Sequence, residues 1–189
     1  MSFLLGLASF FLSQILLRLP LLNLLTEEAF FQVLLKQHYL LMGLGLALSA
    51  GLFEETSRYL FRKFLLKNKS DYSQALIFGL GHGIMEALYI LGPLVKVYPL
   101  SLLLPSLAER ILAILIHMSL SLVIWQGFKQ KKEEAFLLLA ILIHGLIDFS
   151  IPLGSYLNST ALIYMLLLIQ SLALFTYTGS ILIKERKRP

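Results

Sequence analysis

Long apolar stretches broken by short polar ones dominate this chain, and their lengths are informative. A helix needs about 20 mainly apolar residues to cross a bilayer. By that rule the pattern predicts six spans with soft edges, at residues 3–25, 38–60, 73–92, 100–125, 135–152 and 160–183. The intervening segments TEEAFFQVLLKQ, RKFLLKNKSD, GPLVKVYP, GFKQKKEE and PLGSYLNST read as connections. The expected architecture is therefore all-α: a polytopic membrane protein forming one transmembrane domain over residues 1–189, with no soluble domain and no internal repeat. The opening MSFLLGLASFFLSQILLRLPLL has no basic residue before Arg18 and no clear small-residue cleavage site, so it reads as a retained membrane helix.

Composition agrees with the pattern. Apolar residues make up 58% and charged residues 14% of the chain, and mean hydropathy is +0.80, far from a soluble mixture. The net charge of +5 does not imply nucleic acid, because the basic residues cluster in connections. Twelve of the sixteen Lys and Arg lie at 58–69, at 129–132 and in the tail KERKRP, whereas the other connections carry only Lys36 and Lys96. The positive-inside rule then puts both termini in the cytoplasm, with membrane lipid as the surrounding partner. Cysteine is absent, which excludes disulfides, thiolate nucleophiles and Cys-based zinc sites. Any metal must be held by His, Asp or Glu.

Ionisable residues at membrane depth are costly unless they share a buried polar site. Here there are many: Glu54, Glu55 and Arg58 in the second predicted span, His82 and Glu86 in the third, Glu109, Arg110 and His117 in the fourth, His144 and Asp148 in the fifth. His82 and Glu86, His144 and Asp148, and the series Glu109, Ala113, His117, Ser121 recur every four residues, so each helix presents one polar edge. Counting from the basic connections places Glu54, His82, His117 and His144 about 12–14 Å deep, and Glu86, Glu109, Arg110, Asp148 and Arg18 about 20 Å deep. Imidazoles with carboxylates suit a zinc-type metal and hydrolysis, since such a metal makes water acidic enough to ionise near neutral pH. A glutamate beside that water is a general base. On this reading Glu54 or Glu55 activates water reached from the cytoplasm, and Arg58 holds the other carboxylate ionised or clamps a substrate carbonyl.

The segments GLFEETSRYLFRK, FGLGHGIMEAL, ERILAILIHMSLS and HGLID together resemble the YhfC family of intramembrane metallopeptidases, which is similar to the prenyl-protein CAAX protease and bacteriocin-processing group. The resemblance covers essentially the whole chain. It implies a CAAX-protease-like helical bundle in a bacterial plasma membrane, an endopeptidase activity on a membrane-associated peptide or protein, and a divalent metal, expected to be zinc. In the wider group a glutamate pair with a downstream arginine, a Phe-x-x-x-His and a His-x-x-x-Asn form the site. They map here onto Glu54, Glu55 and Arg58 as catalytic residues, Phe78 with His82, and His144 with Asp148. His117 resembles a feature of the YhfC branch and joins His82 and His144 as expected metal ligands, with Glu86, Glu109 and Asp148 as supporting groups or additional ligands. The chain departs from the group in two ways: Arg58 follows the glutamate pair after two residues rather than three, and Asp148 stands where asparagine is usual.

Blander readings apply to the same residues. Glu54 and Arg58 form an ordinary i, i+4 pair at a helix end, the histidines make interhelical hydrogen bonds, and Gly79, Gly81 and Gly83 permit close helix packing. Buried Asp, Glu and His also serve proton- or ion-coupled transporters, and a non-catalytic scaffold or immunity protein is a third class.

Overall fold

Backbone N–H and C=O groups in a hydrocarbon environment can only satisfy one another, and the long apolar runs do so as helices. The computed structural model describes residues 1–68 and 70–187, and no strand occurs among them. The basic residues Lys69 and Arg188 of the topology argument lie outside the described residues. Seven helices follow in order: α1 (Ser2–Glu27), α2 (Ala29–Gln37), α3 (Tyr39–Leu65), α4 (Tyr72–Leu94), α5 (Leu100–Gln130), α6 (Glu133–Tyr156) and α7 (Thr160–Arg186). Five of these are long and apolar enough to cross a membrane by themselves, and α2 with α3, bent by 112° at His38, makes a sixth broken span. The carboxylates in α3 dilute its apolar run. The lipid-facing perimeter is studded with exposed leucines, such as Leu24, Leu41 and Leu102 at 65%, 68% and 66% exposure. This is an integral membrane protein.

The segment TEEAFFQVLLKQ, expected to be a plain connection, contains α2. Phe31, Leu34 and Leu35 recur at helical spacing and are half-buried, whereas Phe30 and Val33 are exposed, so α2 is a short amphipathic helix lying across the bundle end.

Helices α1, α4, α5, α6 and α3 pack in that order as a closed ring, and α7 covers α5 and α6 from outside. Close approach is written into the GLGHG stretch of α4. A Cβ on Gly79 would lie 2.5 Å from the His117 carbonyl oxygen of α5, and one on Gly81 would lie 2.2 Å from the Phe3 carbonyl oxygen of α1. The two glycines thus let α4 touch a neighbour on each side with His82 held between. The hydrogen bond from Ser2 Oγ to Gln74 and the Lys129–Glu185 ion pair put both ends of the chain, the 66–71 connection and the 131–132 turn on one face. Beneath that face lies the densest core, where Leu66, Phe78, Leu120, Val123 and Trp125 are 1% exposed or less.

Candidate metal centre

Glu54 stands where the ring helices converge. Its Oε2 is 2.9 Å from His82 Nε2 of α4, 3.9 Å from His117 Nδ1 of α5 and 3.8 Å from His144 Nε2 of α6. The four groups expected to share one layer are therefore together. The imidazole rings of His82 and His117 lie 4.8 Å apart, and those of His117 and His144 5.4 Å apart.

The hydrogen-bond partners fix how each ring is turned. An ionised carboxylate only accepts, and a guanidinium only donates. His144 Nδ1, 2.8 Å from Glu55 Oε1, therefore carries a proton, and with the ring neutral its Nε2 lone pair faces Glu54. His117 is turned the other way. Its Nδ1 accepts from Arg58 Nη2 at 3.1 Å, and its Nε2 donates to Glu86 Oε2 at 2.6 Å. One nitrogen of each ring thus lies near the same Glu54 oxygen while the other is held by a second carboxylate, the arrangement that orients histidine ligands in metal sites; the His117 Nδ1 lone pair is engaged by Arg58, a bond that a metal at that nitrogen would have to displace. Among the described residues, donor atoms of Glu54, His117 and His144 all lie within 4.8 Å of one another, and all three side chains are buried. This donor set, one oxygen and two nitrogens, fits a divalent metal of the zinc type.

The geometry divides the remaining residues differently from the sequence expectation. His82 stands one place back: its Nε2 donates to Glu54, and its buried Nδ1 has no hydrogen-bond partner. Arg58 pairs with Glu55 Oε2 at 2.9 Å, an i, i+3 contact, and not with Glu54 four residues away. Glu86 accepts from Arg110 Nη1 at 2.8 Å, and Glu109 from Arg110 Nη2 at 2.7 Å. Asp148 Oδ2 is 3.6 Å from His144 Nε2, and its side chain is 40% exposed. Two α1 residues complete the cluster. Gln14 Nε2 donates to Glu54 Oε1 at 2.5 Å, and Arg18 donates to Gln14 Oε1, to Ser49 Oγ and to the Leu46 carbonyl. Sequence reasoning set Arg18 in the deeper layer and missed Gln14. The i, i+4 spacing of the two polar residues in an apolar helix was the available signal, and a π-helical stretch over Phe11–Arg18 turns both inward.

Formal charge is unbalanced in this cluster. The carboxylates of Glu54, Glu55, Glu86, Glu109 and Asp148 face the guanidiniums of Arg18, Arg58 and Arg110, which leaves two negative charges with the histidines neutral. A divalent cation cancels that excess, which matters where uncompensated charge is costly.

A cavity of about 450 Å³ leads to the cluster, lined by Arg18, Glu86, Arg110 and Asp148 on its floor and by Leu35 and Tyr39 at its mouth. Leu35 and Tyr39 flank the α2–α3 bend, so the mouth is on the face opposite the chain ends and the basic connections. The cavity reached from the basic side, expected from counting depth, is not what forms. On that side Arg58 and Phe78 are fully buried, Leu66 is 1% exposed, and Arg62 lies over the Trp125 ring at 5.3 Å and donates to the Leu66 carbonyl.

The comparisons bear on what this cluster is for. The profile of the YhfC intramembrane metalloprotease family matches residues 1–104 and 93–172. The chain belongs to the YhfC intramembrane metalloprotease family. It is 31% identical over 169 residues to the uncharacterized membrane protein YhfC of Bacillus subtilis (strain 168), an alignment covering 71% of this chain. The chain spans 62% of that relative's length. No solved structure matches. The family's name implies a metal, and among the described residues the buried Glu54, His117 and His144 group could hold one.

Proposed function

We propose that this protein is a membrane-embedded metal-dependent endopeptidase that hydrolyses a peptide bond of a membrane-associated peptide or protein within one transmembrane domain. The reading rests on one observation: donor atoms of Glu54, His117 and His144, from three of the candidate membrane-spanning helices, converge within 4.8 Å. In this proposal these three residues hold a divalent metal, zinc by donor type, in place of the His82, His117 and His144 set. When bound, the metal supplies a Lewis acid that polarises a carbonyl and acidifies water.

The chain's own groups do the rest. Glu55 holds His144 and Glu86 holds His117, which fixes the orientation of both rings toward Glu54. Arg58 keeps Glu55 paired, and His82 with Gln14 fixes the rotation of the Glu54 carboxylate. Asp148 combines proximity to His144 with exposure to the cavity, which suits it to take a proton from water and return it to the departing amine. The apolar cavity wall accommodates peptide side chains. A coupled carrier needs alternating routes to both faces, and the buried layer around Phe78 and Trp125 favours the hydrolytic reading.

Elemental analysis of the protein purified in detergent after loading with zinc, together with cleavage of a fluorogenic membrane-peptide panel, tests this reading. Stoichiometric zinc and cleavage are expected, both lost in Glu54→Gln and His144→Ala. Metal content unchanged in both variants, or a zinc-free wild type, refutes the metal assignment.

A further inference from the structure

The opposite ends of the ring differ in the two properties that decide how a membrane hydrolase meets its substrate. At the end carrying the chain termini, packed side chains from several helices close the bundle: Leu66 and Phe78 with Trp125, capped by Arg62. At the other end the ring is open. Wall residues Tyr39, Gly43, Leu46, Ala47 and Ala50 of α3 descend about 16 Å at 1.5 Å per residue to a floor of Glu86 and Asp148, one turn short of Glu54. The site is nearer to the closed face, at about 16 Å along α3 from Glu54 to Leu65, yet it is reached from the farther one.

Charge says which side of the membrane each face meets. The closed face carries the connections and helix ends rich in Lys and Arg, and the open face carries Lys36 and Lys96. Short basic connections are retained in the cytoplasm. Accordingly we propose that the site takes both water and substrate from the extracytoplasmic side, so that its substrate is a peptide segment exposed at the outer surface of the membrane. This rests on the hydrolytic reading for the word substrate, and on the geometry alone for the direction of access. Helix α2 fits the assignment. It lies across the mouth with Phe30 and Val33 at 74% and 46% exposure and Leu35 lining the cavity, a surface suited to hold an apolar peptide segment at the interface. The polar floor lies below it.

The cysteine-free sequence makes the experiment direct. Single-cysteine variants are expressed in cells and treated with a membrane-impermeant thiol reagent: Ala47→Cys and Tyr39→Cys as cavity reporters, Val97→Cys for the open face and Asn68→Cys for the closed face. Labelling of both reporters and of Val97→Cys on intact cells is expected, with Asn68→Cys labelled only after permeabilisation. Having two reporters guards against one variant failing to fold. Reporters that label only with Asn68→Cys, that never label in folded protein, or an outward-facing Asn68→Cys each overturn the proposal. Labelling does not require turnover. A protein that labels from outside yet neither binds metal nor cleaves peptide keeps the access direction and loses the hydrolytic reading instead.

Discussion

Arg58 offers the sharpest test of how the cluster is held together. Its side chain and that of Glu55 are both 0% exposed, and they meet at 2.9 Å. Replacing Arg58 by methionine keeps most of the packing volume but removes the guanidinium in contact with Glu55. The carboxylate then retains one partner, the His144 Nδ1 proton 2.8 Å away, and His117 Nδ1 loses its donor. Breaking a buried ion pair from one side costs about 3–5 kcal/mol, because the surviving charge stays buried and uncompensated. That corresponds to a change of about a hundredfold or more in the unfolding equilibrium. The double variant Glu55→Gln, Arg58→Met removes both charges and leaves an amide that still accepts from His144. It is expected to be more stable than Arg58→Met alone despite carrying an additional substitution.

The assay is denaturant-induced loss of helical circular dichroism in detergent, with a chelator present so that metal binding adds nothing to the folded state. The sign of the coupling between the two substitutions decides the matter. An Arg58→Met variant within about 1 kcal/mol of wild type would mean that water already reaches Glu55. A double variant costing as much as the two singles together would mean that the pair is not coupled. Either result refutes the buried-pair account.

Two further substitutions probe packing and positioning. Gly79→Ala places a Cβ 2.5 Å from His117 O and from Met118 Cα, well inside ordinary contact, so α4 and α5 must part by about 1 Å at a cost of about 1–3 kcal/mol. Gly92→Ala, with nothing within 4 Å of its Cβ, is the control, and equal thermal stability of the two variants contradicts the close-packing argument. Gln14→Met removes the amide that donates to Glu54 Oε1 without a large change in volume. Zinc affinity measured against a competing chelator is expected to fall about 10–100-fold, as for other groups that orient metal ligands, alongside a stability loss of about 1–3 kcal/mol because Glu54 Oε1 and Arg18 each lose a partner. Unchanged affinity removes Gln14 from the site.

The spans were legible because lipid imposes a length rule, and the inward edges because charges at depth have few places to go. Spacing alone could not say whether Arg58 meets Glu54 or Glu55, since three and four residues are neighbours on a helix alike. The choice is made by His82 and Gln14, which occupy Glu54 from two other helices. Gln14 itself carries no charge, a single i, i+4 pairing with Arg18 is all that marks it, and the π-helical register that turns it inward has no clear sequence mark. Helix α2 escaped because its nine residues are too few to span, although Phe31, Leu34 and Leu35 already have helical spacing. The direction of opening was hidden for a different reason. Counting residues measures depth along a helix, whereas the plug at one end is made by Phe78, Trp125 and Arg62, which are brought together only by tertiary packing.

That plug is also what would make the proposed hydrolysis compatible with a sealed membrane. A peptide bond cannot be hydrolysed without water, and a ring of helices wide enough to admit water from both ends would pass ions. Here the polar floor ends at the Glu55–Arg58 pair, and the next layer toward the basic face is the buried set of Leu66, Phe78 and Trp125. Closing the bottom also lowers the effective dielectric around the Glu54, His117 and His144 donors, which strengthens each electrostatic contact among them. A site of this form would bind a divalent cation more tightly than the same side chains would at the surface.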